Sequence, residues 1–208
     1  MKKLLDIIKK KLKAIYFIFL SNFIKYFFWN LKPIFKIESH LNHLERYYLY
    51  KFSINRKRIL EIGSYKGASA FSFAFSQLPS EEKKIICIDT WQNHSMAEGR
   101  KDTFEIFKKN IKEYSNIIFP VKGFSNQVEN EVLSVCNNYD LLFIDGDHSY
   151  EGVISDWRIY SKHLDKNALI ILHDTGWAIG VKRVLREEIL PLTTEIKKLP
   201  NLWIGRLN

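Results

Sequence analysis

Asp145, Gly146, Asp147 and His148 follow directly on the apolar run Leu141-Leu-Phe-Ile144. Two carboxylates and an imidazole within four residues, at the end of a buried strand, point to chemistry rather than packing. In an open α/β sheet, ligands bind outside the carboxyl ends of the strands. A second such end lies downstream, where Ala168-Leu-Ile-Ile-Leu172 runs into His173-Asp174-Thr175. If the two strands are neighbours, Asp145, His173 and Asp174 converge on one divalent ion. Carboxylate oxygens suit Mg²⁺, and the histidine leaves room for Mn²⁺. Asp147 or His148 then remains as a general base. Any one of these residues could be a helix cap or a structural group. That bland reading has to be invoked at two strand ends together, which makes it the poorer one.

Two earlier strand ends add a second kind of site. Arg58-Ile-Leu-Glu61-Ile62 leads into Gly63-Ser64-Tyr65-Lys66-Gly67 and then Ala68-Ser69. Two glycines four apart let backbone approach a ligand and let a helix pack on the strand. They match neither the G-x-G-x-x-G dinucleotide fingerprint nor a phosphate loop. The next strand, Lys84 to Asp89, ends in an acid that is followed by Thr90 and Trp91. An acid there suits the two hydroxyls of an adenosine ribose, with Trp91 against the adenine. The alternative is a capping Asp beside a core Trp.

The elements that must position these groups alternate along the chain. Strands are expected at 58–62, 84–89, 117–119, 140–144 and 168–172, with two short terminal runs at 194–198 and 202–207. Helices are expected between them, at about 68–78, 96–114, 126–135, 150–163 and 180–189. Short apolar strands without strict alternation indicate a sheet covered on both faces. The fold class is therefore α/β, doubly wound and Rossmann-like. Only two cysteines are present, with neither a disulfide framework nor a zinc pattern, which suits a reducing compartment. Cys87 reads as a small core residue.

The net charge of +9 is unevenly placed. Residues 1–36 hold nine lysines and one acid, so the remainder is nearly neutral, and the basic pI is no argument for nucleic acid. Three segments follow: a basic, hydrophobic one at 1–36, a helical lead-in at 37–54, and the α/β body at 55–208. In the first, Leu5, Ile8, Leu12, Ile15 and Phe19 recur at helical spacing opposite Lys2, Asp6, Lys9 and Lys13. Such a helix could lie on the cytoplasmic face of a membrane, or cover the core or a partner copy. In the lead-in, a helix from Ser39 to Phe52 is expected with Ser39 as its N-cap. His40 and His43 read as ordinary surface or packing histidines.

Taken in order, Glu-Ile-Gly-Ser-Tyr-Lys-Gly-Ala-Ser, Ile-Asp-Thr-Trp, Ile-Asp-Gly-Asp-His-Ser-Tyr-Glu-Gly-Val and Leu-His-Asp-Thr resemble the class I S-adenosylmethionine-dependent methyltransferases. The likeness is greatest to the bacterial sugar and macrolide O-methyltransferases. It covers about residues 55–207. It implies a seven-stranded, mostly parallel sheet with the last strand antiparallel. It implies S-adenosylmethionine as cofactor, with Gly63, Ser64 and Gly67 along its methionine part and Asp89 on the ribose. Ser125 falls at the adenine region, and Glu61, Tyr65, Ser69, Thr90, Trp91 and Asp145 complete the cofactor set. Metal-dependent relatives bind Mg²⁺ through the acid at Asp145 and an acidic pair, which here is His173-Asp174. Asp147 matches the base of sugar-modifying relatives, and His148 the lysine base of the catechol type; for a sugar hydroxyl Asp147 is the expected base. The implied reaction is methyl transfer to a hydroxyl, with a glycan or glycolipid sugar as the expected acceptor. Contact of residues 1–36 with the membrane surface, and self-association, are further expectations. The rivals are a metal-dependent hydrolase or hydroxylase on this fold, and a non-catalytic membrane-associated scaffold.

Overall fold

The computed structural model describes residues 2–76, 83–92 and 99–208. The side chains of Lys2, Leu5 and Asp6 fall outside the described residues, as do the expected helical positions Leu78 and 96–98. The strands are β1 (Arg58–Ile62), β2 (Lys84–Asp89), β3 (Ile118–Lys122), β4 (Tyr139–Ile144), β5 (Leu164–His173), β6 (Thr193–Lys198) and β7 (Leu202–Leu207). The helices are α1 (Lys2–Phe27), α2 (His43–Ser53), α3 (Ala68–Phe75), α4 (Phe104–Asn110), α5 (Glu129–Val135), α6 (Tyr150–Tyr160) and α7 (Ile179–Val184). One seven-stranded sheet forms in the order β3-β2-β1-β4-β5-β7-β6. β1 to β5 pair in parallel, and β7 runs antiparallel between β5 and β6.

Successive strand side chains point to opposite faces, and here both faces are apolar. Ile59, Ile85, Leu141, Phe143 and Ile171 meet α2, α3 and α4 through Leu49, Phe73 and Phe107. Leu60, Ile86, Leu142 and Ile170 meet α5, α6 and α7 through Val132, Trp157 and Val181. The near-continuous apolar runs of the sequence thus follow from a sheet buried on both sides. Cys87 is fully buried among them. Pro120 fits within β3 because β3 is an edge strand, where a missing N–H is tolerated.

Several boundaries differ from the sequence expectation. β3 extends to Lys122, beyond the expected 117–119. α2 is capped by Asn42, not Ser39. Asn42 Oδ1 accepts from Glu45 N, and Glu45 Oε2 accepts from Asn42 N. This reciprocal box satisfies two otherwise orphaned donors. The helix expected at 96–114 is α4 followed by a 3₁₀ turn to Tyr114. Before α4, Lys101 N and Thr103 N donate to Gln92 O and Trp91 O, so those donors are not available to a helical turn. α5 begins at Glu129 because Gln127 N closes a turn onto Phe124 O.

The N-terminal segment is one 26-residue helix, α1, followed after a 112° bend by a 3₁₀ helix at Trp29–Phe35. Ile24 is buried against the body, and Phe17 and Leu20 pack beside it. The rest of α1's described apolar side chains are mostly exposed.

Candidate active site

The sheet reverses its winding between β1 and β4, and the ends of those strands touch. Gly63 N donates to Ile88 O, and Asp145 N donates to Ile62 O. A Cβ at Gly63 would lie 2.2 Å from Asp145 O, and Gly63 has φ +88°. Only glycine fits both the space and the left-handed backbone there. Gly67, at φ +85°, stands at the N-cap of α3 against Phe107 and Ile111. The turn between the two glycines is held by Asp89. Its Oδ2 accepts from Ser64 N and Tyr65 N at 2.8 and 2.7 Å, and its Oδ1 accepts from Trp91 N at 2.7 Å.

A cleft of about 750 Å³ opens over these strand ends. Of the expected cofactor residues, Gly63, Ser64, Tyr65, Ser69, Asp89, Thr90, Ser125 and Asp145 line it. Three do not. Trp91 is fully buried with Phe104 and Phe107, and its indole N–H donates to Tyr65 O, so it braces the turn from behind instead of facing an adenine. Gly67 supports α3. Glu61 is fully buried behind the turn, where its Oε2 accepts from Ser64 Oγ at 2.8 Å. Burial pushes Glu61 up to about 7.

The opposite wall is built from side chains at the ends of β4 and β5. His148 Nε2 lies 2.7 Å from Asp174 Oδ2, and the Trp177 ring meets the His148 ring edge-on. Asp174 also accepts from Trp177 Nε1 and Asn201 Nδ2. The bond to Asp174 raises the pKa of His148 above its ordinary value. Burial works against the charge on Asp174, but its bonds to His148 and His173 outweigh it and hold the carboxyl well below the usual range.

His173 departs from the expected ligand set. It is buried, with Nδ1 2.8 Å from Asp145 Oδ1 and Nε2 facing Asn201 Nδ2 and Glu45 Oε2 at 3.2 and 3.4 Å. Burial disfavours its charge, yet Asp145, Asp174 and Glu45 together push it up to about 12. Both ring nitrogens of His173 are thus taken up by protein groups, Nδ1 by Asp145 and Nε2 by Asn201 and Glu45. Among the described residues, Asp145, His148 and Asp174 form a group whose donors lie within 4.8 Å of one another. Asp147 lines the cleft too, but both of its oxygens accept from Ser149, the N-cap of α6.

Several contributors were not singled out from sequence. Asp156 on α6 is almost fully buried, accepts from Ser125 Oγ and lines the cleft. Burial pushes it up to about 7. Its signal was an acid beside the apolar face formed by Val153, Trp157 and Tyr160. Glu45 and Asn201 reach the site from α2 and the β6–β7 turn, which needs the topology to see. Ser39, His40 and Leu41 form a further part of the lining, while His43 packs edge-on against Phe35.

The cleft carries six acids, Asp89, Asp145, Asp147, Glu151, Asp156 and Asp174, against Lys66 and the imidazoles of His148 and His173, so the acids stay in excess. Such a lining favours cationic ligands and disfavours phosphates.

A family model described as a methyltransferase domain matches residues 60–175. Uncharacterized protein R132 of Acanthamoeba polyphaga mimivirus is 30% identical over 123 residues, covering 55% of this chain and 50% of that protein. The matches span half or less of the length of the curated relatives found. Among solved structures, the O-methyltransferase from Bacillus cereus in complex with SAH superimposes with a TM-score of 0.69 at 14% identity, over 90% of this chain and 96% of that one. CalS11, the TDP-rhamnose 3'-O-methyltransferase of calicheamicin biosynthesis, gives 0.61 at 14% identity over 78% and 77%. At these identities the likeness is one of fold.

Proposed function

This chain belongs to the methyltransferase-domain family, with the fold of the class I S-adenosylmethionine-dependent enzymes, and we propose that its acceptor is a hydroxyl on a sugar of a glycan or glycolipid. The observation that carries the reading is the meeting of Asp89, Asp145, His148 and Asp174 around one cleft at the switch point of the sheet. When bound, S-adenosylmethionine supplies a sulfonium methyl that a hydroxyl oxygen attacks in line, leaving S-adenosylhomocysteine. The acid-lined cleft suits that cation, and its volume is within the usual range for small-molecule sites.

The chain's own work is to orient the acceptor and remove its proton. His148, held by Asp174, is the general base that the geometry favours. Asp174 fixes the ring and stabilises the imidazolium, as in other His–Asp pairs. Asp147, tied to Ser149, serves the N-terminus of α6. Trp177 is 59% exposed at the rim and offers an aromatic face beside polar groups, as a sugar ring requires. Aligning the reactants contributes roughly 7–11 kcal/mol in well-oriented systems.

A second reading follows from the 4.8 Å grouping of Asp145, His148 and Asp174. Two oxygens and one imidazole nitrogen are a donor set for Mg²⁺ or Mn²⁺, which would lower the pKa of a bound hydroxyl. Asp147 would then take the base role. The family match favours either version over a hydrolase, a hydroxylase or a scaffold. Methyl transfer from labelled S-adenosylmethionine to a panel of sugar and phenolic acceptors, with and without chelator, tests both. Transfer to sugars that survives chelation supports the His–Asp pair, and transfer lost on chelation and restored by Mg²⁺ or Mn²⁺ supports the metal. A preference for phenols would overturn the sugar assignment.

A further inference from the structure

Helix α1 is apolar on two opposite sides, and the body accounts for only one. Phe17, Leu20 and Ile24 face the core. Ile8, Leu12, Ile15, Phe19, Phe23 and Tyr26 fall, at about 100° per residue, within one arc of about 80° on the far side. Leu12, Ile15 and Phe19 are 61, 61 and 66% exposed. Among the described residues, twelve of the twenty exposed large apolar side chains belong to positions 7–29. A helix that merely covered the body would be polar outside.

The charges beside this stripe say what covers it. On the same helical projection, Lys11 flanks it on one side and Lys9 on the other, each about 40° from its edge. Residues 1–36 contain nine lysines and a single acid. Two copies meeting through the stripe would bring lysine rows together, which is unfavourable. An anionic lipid surface satisfies both features, with apolar side chains at the acyl boundary and lysine stems reaching the headgroups. At the bend, Trp29 is 74% exposed, with Lys32 Nζ 3.0 Å from its ring centroid. An amphipathic ring beside a cation is an interfacial anchor. Among the described residues, no single helix is long and apolar enough to cross a membrane.

We infer that α1 and Trp29 dock the protein, lying in the plane of the interface, on an anionic bilayer. The same stretch of chain continues through Trp29–Phe35 to Ser39, His40 and Leu41, which line the cleft. The docked helix and that part of the cleft wall are therefore joined by a short connection.

The test is co-sedimentation of the full chain with vesicles of phosphatidylcholine alone and of phosphatidylcholine mixed with phosphatidylglycerol. The protein sediments with the anionic vesicles, binds the neutral ones far less, and is partly released by salt. The triple variant Leu12→Ser, Ile15→Ser, Phe19→Ser weakens partitioning about a hundred-fold or more, from the apolar area lost. Lys9→Glu, Lys11→Glu, Lys13→Glu together weaken it by a roughly similar factor. These side chains are exposed, so both variants keep the parent's melting temperature and affinity for S-adenosylmethionine, which separates lost docking from lost folding. A parent that stays in the supernatant with both vesicles overturns the inference. So does a dimer in lipid-free solution that the serine variant converts to monomer, since the stripe would then belong to a second copy.

Discussion

On the β1–β2 side of the cleft, Asp89 uses both oxygens on three backbone N–H groups, and Gly63 leaves no room for a Cβ beside Asp145 O. On the β4–β5 side, His148, His173, Asp145 and Asp174 form a lattice of side-chain contacts; the pKa values of His148, His173 and Asp145 are raised from their ordinary values and that of Asp174 is lowered. One wall is a backbone cradle held by hydrogen bonds to Asp89. The other is a set of titratable groups that can move a proton. Substitutions in the first should act on folding and cofactor affinity, and substitutions in the second on turnover.

The largest separation is expected at His148. His148→Gln removes the proposed proton acceptor but keeps a polar side chain. It should lower turnover by roughly 10²–10⁴-fold while S-adenosylmethionine affinity stays within about twofold. Steady-state rates beside calorimetric titration check this, and unchanged turnover would move the base elsewhere. Gly63→Ala should act the other way. A methyl group facing Asp145 O at φ +88° forces the two strand ends apart, with an expected loss of about 3 kcal/mol in a urea melt. A normal melt would mean that the cradle yields more easily than its geometry indicates.

Asp89→Ala tests whether the cradle binds. Loss of the shared acceptor leaves three N–H groups to water and frees the turn, so cofactor affinity should fall by about tenfold to a hundredfold. His148→Gln combined with Asp89→Ala should show both defects without compensation if the walls act separately.

The smallest effect concerns pH. Asp156 is buried and its folded pKa is raised to about 7. The folded state therefore holds a proton that the unfolded chain releases near its ordinary carboxylate value. Stability from this group is full in acid and is lost as pH rises toward about 7. Asp156→Asn should flatten the decline of melting temperature across that window. Glu61 is raised in the same direction and keeps part of the slope.

The apolar runs and their punctuation made the sheet readable, because a strand buried on both faces has few alternatives. β1, β2 and β7 begin and end where the sequence pattern puts them. Positions set by long-range bonds were not readable. Thr103 N pairs with Trp91 O, so α4 starts late. Asn42 outcompetes Ser39 as a cap because Glu45 answers it three residues on. Strand-end acids announced the cleft, but not which side chains would turn inward. His173 and His148 look alike as strand-end histidines, and only the arrival of Glu45 and Asn201 puts His173 in the interior. Trp91 looked like a ligand platform because its neighbour Asp89 lines the cleft, yet its positive φ and its bond to Tyr65 O carry it under the turn.

The most direct test of the central claim is calorimetric titration of S-adenosylmethionine into the folded full chain. Saturable one-to-one binding that Asp89→Ala weakens and His148→Gln leaves intact is the expected result. A folded chain that takes up no S-adenosylmethionine, with or without divalent cation, would contradict it.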